Sequence, residues 1–349
     1  MRILVTGNLG YVGPEVGKKI KNYFNDSNLL GIDLGLFSQC LTTNSRVGDT
    51  YYDNQRFLDV RDITLKDLEN CDVVVSLAAV SNDPIGNDFR EATKQINYDA
   101  NCKLADLSAK AGVKKFIFAS SCSMYGSAGV TPKTEKDSTD PLTAYAKSKI
   151  GVENTLKEAL SNQKMKLIFL RFATACGASD RLRLDLVLND FVASAIKYQK
   201  ISILSDGSPW RPLIHIIDMA RAINWAIDEK KIKKFISLNA GSNNMNYQIK
   251  DLAYNVSKLI KGTKVYINTK AFPDKRSYKV NFSKFEKFNK KFKPIYNLEK
   301  SIIDLKDNLI KKKFKTKNFR NSNYIRLNVL KKLVEKKILN KDMRWRKSI

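Results

Sequence analysis

"RILVTGNLGYVG", residues 2–13, is the stretch whose reading decides the fold. A short apolar run of strand type leads into three glycines, Gly7, Gly10 and Gly13. Directly behind them, "PEVGKKIKNYF" (14–24) has the apolar spacing of a helix. A strand that turns on glycines into a helix brings the helix's unpaired N–H groups and positive dipole end to the strand's carboxyl edge, where a diphosphate is stabilised. A side chain in that turn would block the approach.

Working outward, the next apolar run, "LLGID" (29–33), ends in Asp33, 20 residues beyond Gly13. A carboxylate at that place reaches a ribose hydroxyl pair and repels the extra phosphate of NADP, so NAD is the expected cofactor. The plainer reading of Asp33 is a turn residue before Gly35. Asp59, in "FLDVRD", is expected to end a further strand and contact the adenine. Apolar runs recur at 71–79, 114–121 and 166–172, with helical stretches between, one of them closed by Gly112. Strands buried on both faces and separated by helices predict an α/β fold with a doubly wound parallel sheet. After about residue 175 the alternation loosens, with helices expected at 185–198, 217–229 and 248–260 around a turn-rich "SDGSPWRP". The expected organisation is a Rossmann domain over 1–175, to which the chain returns at about 212–240. A smaller substrate-binding region covers 176–314, and a basic helical tail 315–349. "LEKSIIDLKDNLIKKK" and "NVLKKLVEKKIL" are expected as surface helices joined by the polar link "TKNFRNSN".

Composition narrows the class. The 349 residues are 43% apolar, and no run approaches the length of a membrane span. No leader segment is visible at Met1, so export is not expected and the cytoplasm is the expected location. Five scattered cysteines without a C-x-x-C suggest neither a disulfide framework nor a thiolate metal site. A single histidine, His215, leaves no basis for a His-built metal site. The net charge of +27 is uneven: residues 284–349 carry 22 Lys/Arg against 6 Asp/Glu, a net +16, and the first 283 residues carry +11. A basic tail can bind a polyanion. The bland reading is a chain generally rich in Lys, Asn and Ile with solvated lysines, and no nucleic-acid motif accompanies the charge, so nucleic acid is not expected as a partner.

Tyr-x-x-x-Lys occurs four times: Tyr145/Lys149, Tyr254/Lys258, Tyr266/Lys270 and Tyr296/Lys300. Only the first follows an apolar strand ending in hydroxyls, "FIFASSCSMYG", with Ser121 24 residues upstream and Pro141 before the expected helix. Tyr145 and Lys149, four apart, share a helix face. A base that takes a hydroxyl proton while hydride leaves carbon works best with a pKa near 7. Tyrosine lies near ~10, so roughly 4 kcal/mol must come from its surroundings. The Lys149 ammonium and a positive nicotinamide ring supply that in this reading, while Ser121 orients the substrate oxygen.

With "TGNLGYVG", "SSCSMYG", "YAKSK", "LRFATACG" and "WRPLIHIIDMARA", the chain resembles the extended short-chain dehydrogenase/reductases. It is most similar to their NAD-dependent sugar-nucleotide epimerase/dehydratase group, of the UDP-glucose 4-epimerase type, over residues 2 to about 310. The resemblance implies tightly held NAD, a nucleotide-diphosphate sugar as substrate and a transient 4-keto sugar. It implies Ser121, Tyr145 and Lys149 as catalytic residues, the last two also touching the cofactor, and Ala78 of "SLAA" as a further cofactor contact. Arg211 matches the arginine that holds the substrate diphosphate, and Arg276 of "FPDKRSY" looks like a second. Asn189 of "LVLNDF" is implied on the nucleotide side and Asn97 as a prop. His215 is expected to pack and hydrogen-bond, with catalysis as the alternative. A homodimer through the helices near 94–112 and 145–162 is implied as well.

The departures carry information. Ser76 stands where the group often has His, Ser81 where galactose-type epimerases carry Lys, and Cys122 and Ser123 where 4,6-dehydratases place Asp-Glu. Without that acid pair, water elimination is disfavoured. Cys122 reads either as an acid/base beside a ketone or as a small buried residue. "ASDRLRLDLVLNDF" and "DKRSY" also resemble a subgroup that modifies nucleotide-linked sugars, heptoses included, for surface polysaccharides. The expected reaction is therefore C4 epimerisation in polysaccharide synthesis. The alternatives are a C4 dehydrogenase or reductase, for example on a GDP-linked heptose, and a non-catalytic NAD-binding protein with a polyanion-binding tail.

Overall fold

The computed structural model describes residues 1–42, 47–161, 163–272 and 274–346. Its strands are β1 (Arg2–Thr6), β2 (Asn28–Asp33), β3 (Asn54–Phe57), β4 (Val73–Ser76), β5 (Lys115–Ser121), β6 (Lys166–Phe172), β7 (Thr174–Cys176), β8 (Lys200–Ile203), β9 (Trp210–His215), β10 (Phe235–Ala240), β11 (Asn246–Gln248) and β12 (Lys264–Ile267). The helices are α1 (Gly13–Tyr23), α2 (Asp83–Asp88), α3 (Arg90–Lys94), α4 (Ala100–Lys110), α5 (Ala144–Ala159), α6 (Val187–Tyr198), α7 (Ile216–Asp228), α8 (Ile249–Leu259), α9 (Ser283–Phe288), α10 (Leu298–Lys311) and α11 (Arg326–Glu335).

Seven strands pair in parallel in the order β10-β6-β5-β4-β1-β2-β3. The central strands are apolar without alternation because both faces are covered. Ile3, Leu4 and Val5 of β1 and Val74 and Val75 of β4 are fully buried. One face packs on α1 and α7, the other on α4 and α5. The chain winds from β1 out to β3 and then returns to place β4 on the other side of β1, so the winding reverses between β1 and β4. A crevice opens at the carboxyl ends of such strands. Thr6 faces Ile32 on one side and Ser76 on the other, and the glycine turn begins one residue later.

Two small sheets, β11-β9-β7 and β12-β8, stand beside this core. Among the described residues no helix is long and apolar enough to cross a membrane.

Three local expectations are corrected. Of the run 71–79 only Val73–Ser76 is strand, because the chain leaves the sheet at Leu77 to line the crevice. β3 stops at Phe57, and Asp59 instead caps a short 3-10 turn, its Oδ1 accepting the Arg61 N–H at 2.9 Å. The helices after residue 298 are not mere surface helices. α10 buries Leu298, Ile302, Leu305 and Leu309, α11 buries Val329 and Leu330, and the polar link between them hides Phe319 completely.

Candidate functional site

The glycine turn is built by close packing. Gly7 has φ of +74°, and a Cβ there would meet the Ala78 nitrogen at 2.6 Å. A Cβ at Gly13 would meet the Asn8 carbonyl oxygen at 2.0 Å. Both glycines are therefore demanded by the protein's own backbone. Gly10 is less confined, a Cβ there meeting only the Gly7 oxygen at 3.1 Å. All three line one cavity of about 1160 Å³. Among the described residues the N–H groups of Tyr11 and Val12, at the entrance to α1, have no acceptor.

Asp33 closes β2 against this turn. Its carboxylate accepts the Leu9 N–H at 3.1 Å and the Gly35 N–H at 2.7 Å, and burial pushes its pKa up. Ala78 lines the cavity with its backbone against Gly7. Asp59 lines it too, with its carboxylate clasped by Arg61, whose Nη2 lies 2.6 Å from Oδ2.

At the other end of the crevice, β5 delivers Ser121 and α5 delivers Tyr145 and Lys149. α5 starts cleanly: the Thr143 hydroxyl accepts the Ala146 N–H at 3.1 Å, capping the helix one residue before Tyr145 and Ala144 begin its first turn. Ser121 stands near enough to Tyr145 to lower its pKa, and its own hydroxyl donates to the Ser123 hydroxyl at 2.9 Å. Lys149 is buried with its ammonium 4.6 Å from the Phe118 ring centroid and 5.6 Å from that of Tyr145. Among the described residues that ammonium has no hydrogen-bond acceptor. One turn on, Glu153 is fully buried and bonds Arg171, Ser120 and Ser237, the first at 2.8 Å. This network fastens α5 to β5, β6 and β10.

Electrostatics of the pair differ from the sequence expectation. Burial raises the Tyr145 pKa to about 12, with the Ser121 hydrogen bond opposing, and burial alone draws Lys149 down to about 7. The protein by itself keeps the phenol protonated, since desolvation disfavours the phenolate more than these neighbours stabilise it. The residues nevertheless fit a dinucleotide. A glycine cradle, two free N–H donors, a carboxylate at the end of β2 and an amine without an acceptor all face one cavity. That volume exceeds the ~300–1,000 Å³ of a pocket for a single small ligand.

Arg211 and Arg276 meet at the far wall. The Arg211 Nη2 lies 3.1 Å from Asp274, while Arg276 reaches Asp274 at 2.6 Å and Asp83 at 2.5 Å. Both line the cavity, so two guanidinium forks converge from positions 65 apart in the chain.

Asn189 is corrected. It is fully buried behind the cavity wall, bonding the Gly177 N–H, the Tyr11 hydroxyl and the Arg183 carbonyl. These partners saturate its amide, which therefore props the wall. Cys122 is likewise fully buried, its thiol donating to the Arg171 carbonyl at 3.0 Å, and burial pushes its pKa well up. That environment keeps a thiol inert. Asn97 sits in a π-helical turn (Gln95–Asp99) and brackets the Val80 backbone at 2.7 and 3.0 Å. Ser76 bonds Asn101. His215 stacks on Tyr296 at 3.7 Å, accepts the Ile217 N–H through Nδ1 and so donates from Nε2 to Asp304 at 3.0 Å. Of the other Tyr-x-x-x-Lys pairs, Tyr254 and Tyr266 are 46% and 49% exposed on α8 and β12, away from the cavity.

Sequence reasoning missed Arg183 and Asp185. Arg183 is buried in the cavity wall, bonded to Asp185 at 2.8 Å and to the Ser81 hydroxyl at 2.7 Å. The signal was the Arg-x-Arg-x-Asp spacing of "RLRLD" (181–185), legible as charge alternating with leucine.

A model of the NAD dependent epimerase/dehydratase family matches residues 3–241. Among curated sequences, the bifunctional protein GAL10 of Pachysolen tannophilus is 27% identical over 275 residues, covering 69% of this chain and 39% of that longer protein. The uncharacterized UDP-glucose epimerase YtcB of Bacillus subtilis is 25% identical over 230 residues, 64% of this chain and 71% of its own. Among solved structures, UDP-glucuronic acid 4-epimerase from Bacillus cereus, in complex with UDP-glucuronic acid and NAD, superposes with a TM-score of 0.75 at 22% identity. It covers 89% of this chain and 99% of its own.

Proposed function

The chain belongs to the NAD-dependent epimerase/dehydratase family, and on that premise we propose that it inverts C4 of a nucleotide-diphosphate sugar through a transient 4-keto intermediate. Its class is that of an NAD-dependent enzyme acting on nucleotide sugars. One observation carries the narrower reading. Ser121, Tyr145 and Lys149 line one cavity together with the glycine cradle and the paired forks of Arg211 and Arg276. A single cavity with these three features has groups suited to a dinucleotide, to a sugar hydroxyl and to a second diphosphate, which supports the reading.

In this proposal NAD, bound in its oxidised form, would supply hydride acceptance and a positively charged ring whose field favours the Tyr145 phenolate. The protein's own groups do the rest. Tyr145 takes the C4 hydroxyl proton, Ser121 orients that oxygen, and Lys149 offers an amine to the cofactor's ribose and to the phenolate field. Arg211 and Arg276 release Asp274 and Asp83 to hold phosphate oxygens bidentately. The buried, bonded Cys122 and the small Ser123 provide no acid pair for water elimination, which supports epimerisation over dehydration. A homodimer through α4 and α5, a cytoplasmic location and a role in surface-polysaccharide synthesis belong to the same proposal.

The test is incubation with UDP-, GDP-, dTDP- and CDP-sugars, following reduced-nicotinamide absorbance and product NMR. An inverted C4 centre without net NADH is expected. Stoichiometric NADH with a ketone product would overturn epimerisation in favour of a C4 dehydrogenase.

A further inference from the structure

The basic C-terminal segment does not trail from the fold. Beyond α11 the chain buries Leu339 and Met343 in the same core layer that holds α4 and α5, and Leu339 and Trp345 form a short antiparallel bridge. Three attachments fasten it to the rim of the cofactor half of the cavity. Arg344 holds Asp62 at 2.5 and 2.9 Å and approaches Asp59 at 3.6 Å. The Arg61 guanidinium donates to the carbonyls of Asp342 and Met343 at 2.8 and 3.4 Å. The Trp345 indole N–H donates to the Leu34 carbonyl at 2.8 Å. Leu34 and Asp59 follow the ends of β2 and β3, beside the ribose-binding position of Asp33.

The underside of this segment faces the cavity. Arg326, Leu330 and Met343 line it together with Gly10 and Asp33. Arg326 is 2% exposed, with its guanidinium 5.0 Å over the Phe37 ring and its hydrogen bonds directed to the carbonyls of Asn323 and Arg181. Its two buried neighbours each have an acid: Arg181 pairs with Asp49 and Arg183 with Asp185. Among the described residues no carboxylate lies within 4.0 Å of Arg326. A buried cation without a counter-ion is unfavourable until an anion joins it. Burial accordingly draws the Arg326 pKa down to about 10. The opposite wall is the glycine turn with its free N–H donors, so both walls favour the same anionic ligand.

We propose that residues 320–346 form a strap over the adenosine and diphosphate half of bound NAD. Arg326 offers its charge to the diphosphate, Leu330 and Met343 give apolar cover, and the Arg344 contacts with Asp59 and Asp62 clasp the strap shut. This rests on NAD being the ligand of the cavity, as the family reading holds. A cofactor that returns the hydride it accepted, and so ends each turnover oxidised as it began, has no need to leave, and a strap makes it resident. The solved epimerase that is covered over 99% of its length covers 89% of this chain, so part of this chain lies outside the shared fold.

The test uses full-length protein loaded with fluorescent etheno-NAD and chased with excess NAD. Arg344→Glu on the exposed clasp and Arg326→Met beneath it are each expected to raise the dissociation rate at least tenfold, and Arg344→Glu to do so with the melting temperature of the cofactor-free protein preserved. Release at the wild-type rate from folded Arg344→Glu overturns the strap. Wild-type protein that takes up no etheno-NAD or NAD overturns the cofactor reading itself, and the strap with it.

Discussion

Tyr145 shows how much one residue owes to its surroundings. The spacing to Lys149 occurs four times in the chain, yet only this pair lines the cavity, together with Ser121. Tyr145→Phe is expected to lower kcat by roughly 10²–10⁴-fold without loss of bound NAD, whereas Tyr254→Phe leaves turnover intact. Steady-state rates with NAD content measured alongside check both, and the reverse pattern would move the base elsewhere. Lys149 gives a pH prediction. Its folded pKa of about 7 lies below its unfolded value, so the unfolded chain binds the extra proton between pH 7 and 10.5. Stability contributed by this site therefore rises with pH across that window and is lost as pH falls through 7. Lys149→Met removes the dependence. In cofactor-free protein its stability advantage over wild type, on the order of 4 kcal/mol near pH 7, is expected to shrink toward pH 10.5. Urea unfolding at both pH values measures it, and a constant difference would show that Lys149 is not desolvated.

At the scale of elements, α5 matters because it carries both Tyr145 and Lys149, the two side chains proposed to act on substrate and cofactor, into the cavity. Thr143 sets where the helix begins, and Glu153 sets how it sits on the sheet by bonding Arg171, Ser120 and Ser237. Glu153→Ala leaves the Arg171 charge buried without its acid, a change expected to remove about 3–5 kcal/mol of stability. Lys157→Ala, at the exposed edge of the same network, is expected to cost less than about 1 kcal/mol. Equal losses in denaturant melts would mean that the buried pair does not anchor the helix. The alternation of these elements, the glycine turn and the helix on which Tyr145 lies were legible beforehand, because periodicity and capping reside in contiguous residues. The end of β3, the burial of α10 and the saturated amide of Asn189 were not. Each depends on a partner contributed by another part of the chain.

Across the whole molecule, α10 and the strap tie distant chain segments to the cavity. Asp304 of α10 accepts the Ala178 N–H at 2.7 Å and the His215 ring proton, linking the loop after β7, the end of β9 and the C-terminal helices. Asp304→Ala is expected to destabilise the protein by about 1–3 kcal/mol, since it leaves the half-buried Ala178 N–H and the buried His215 ring N–H unpaired. Calorimetric melting tests this, and an unchanged transition would detach α10 from the core. The surplus of +16 over residues 284–349 reads differently once folded: Arg326 brings part of it into the cavity wall, and Arg344 pairs with Asp62.

By itself the sequence determined the parallel α/β core, the NAD cradle and the candidate trio of Ser121, Tyr145 and Lys149. Local backbone sterics and helix periodicity are written in neighbouring residues and need no knowledge of the fold. Only the tertiary structure decided which charges meet. Arg211 reaches Arg276 and Asp274, Arg344 reaches Asp62 across 282 positions, and among the described residues Arg326 has no carboxylate within 4.0 Å. The reason is physical: ion pairing and desolvation depend on distance and burial in space, and the chain's returns to the sheet set both.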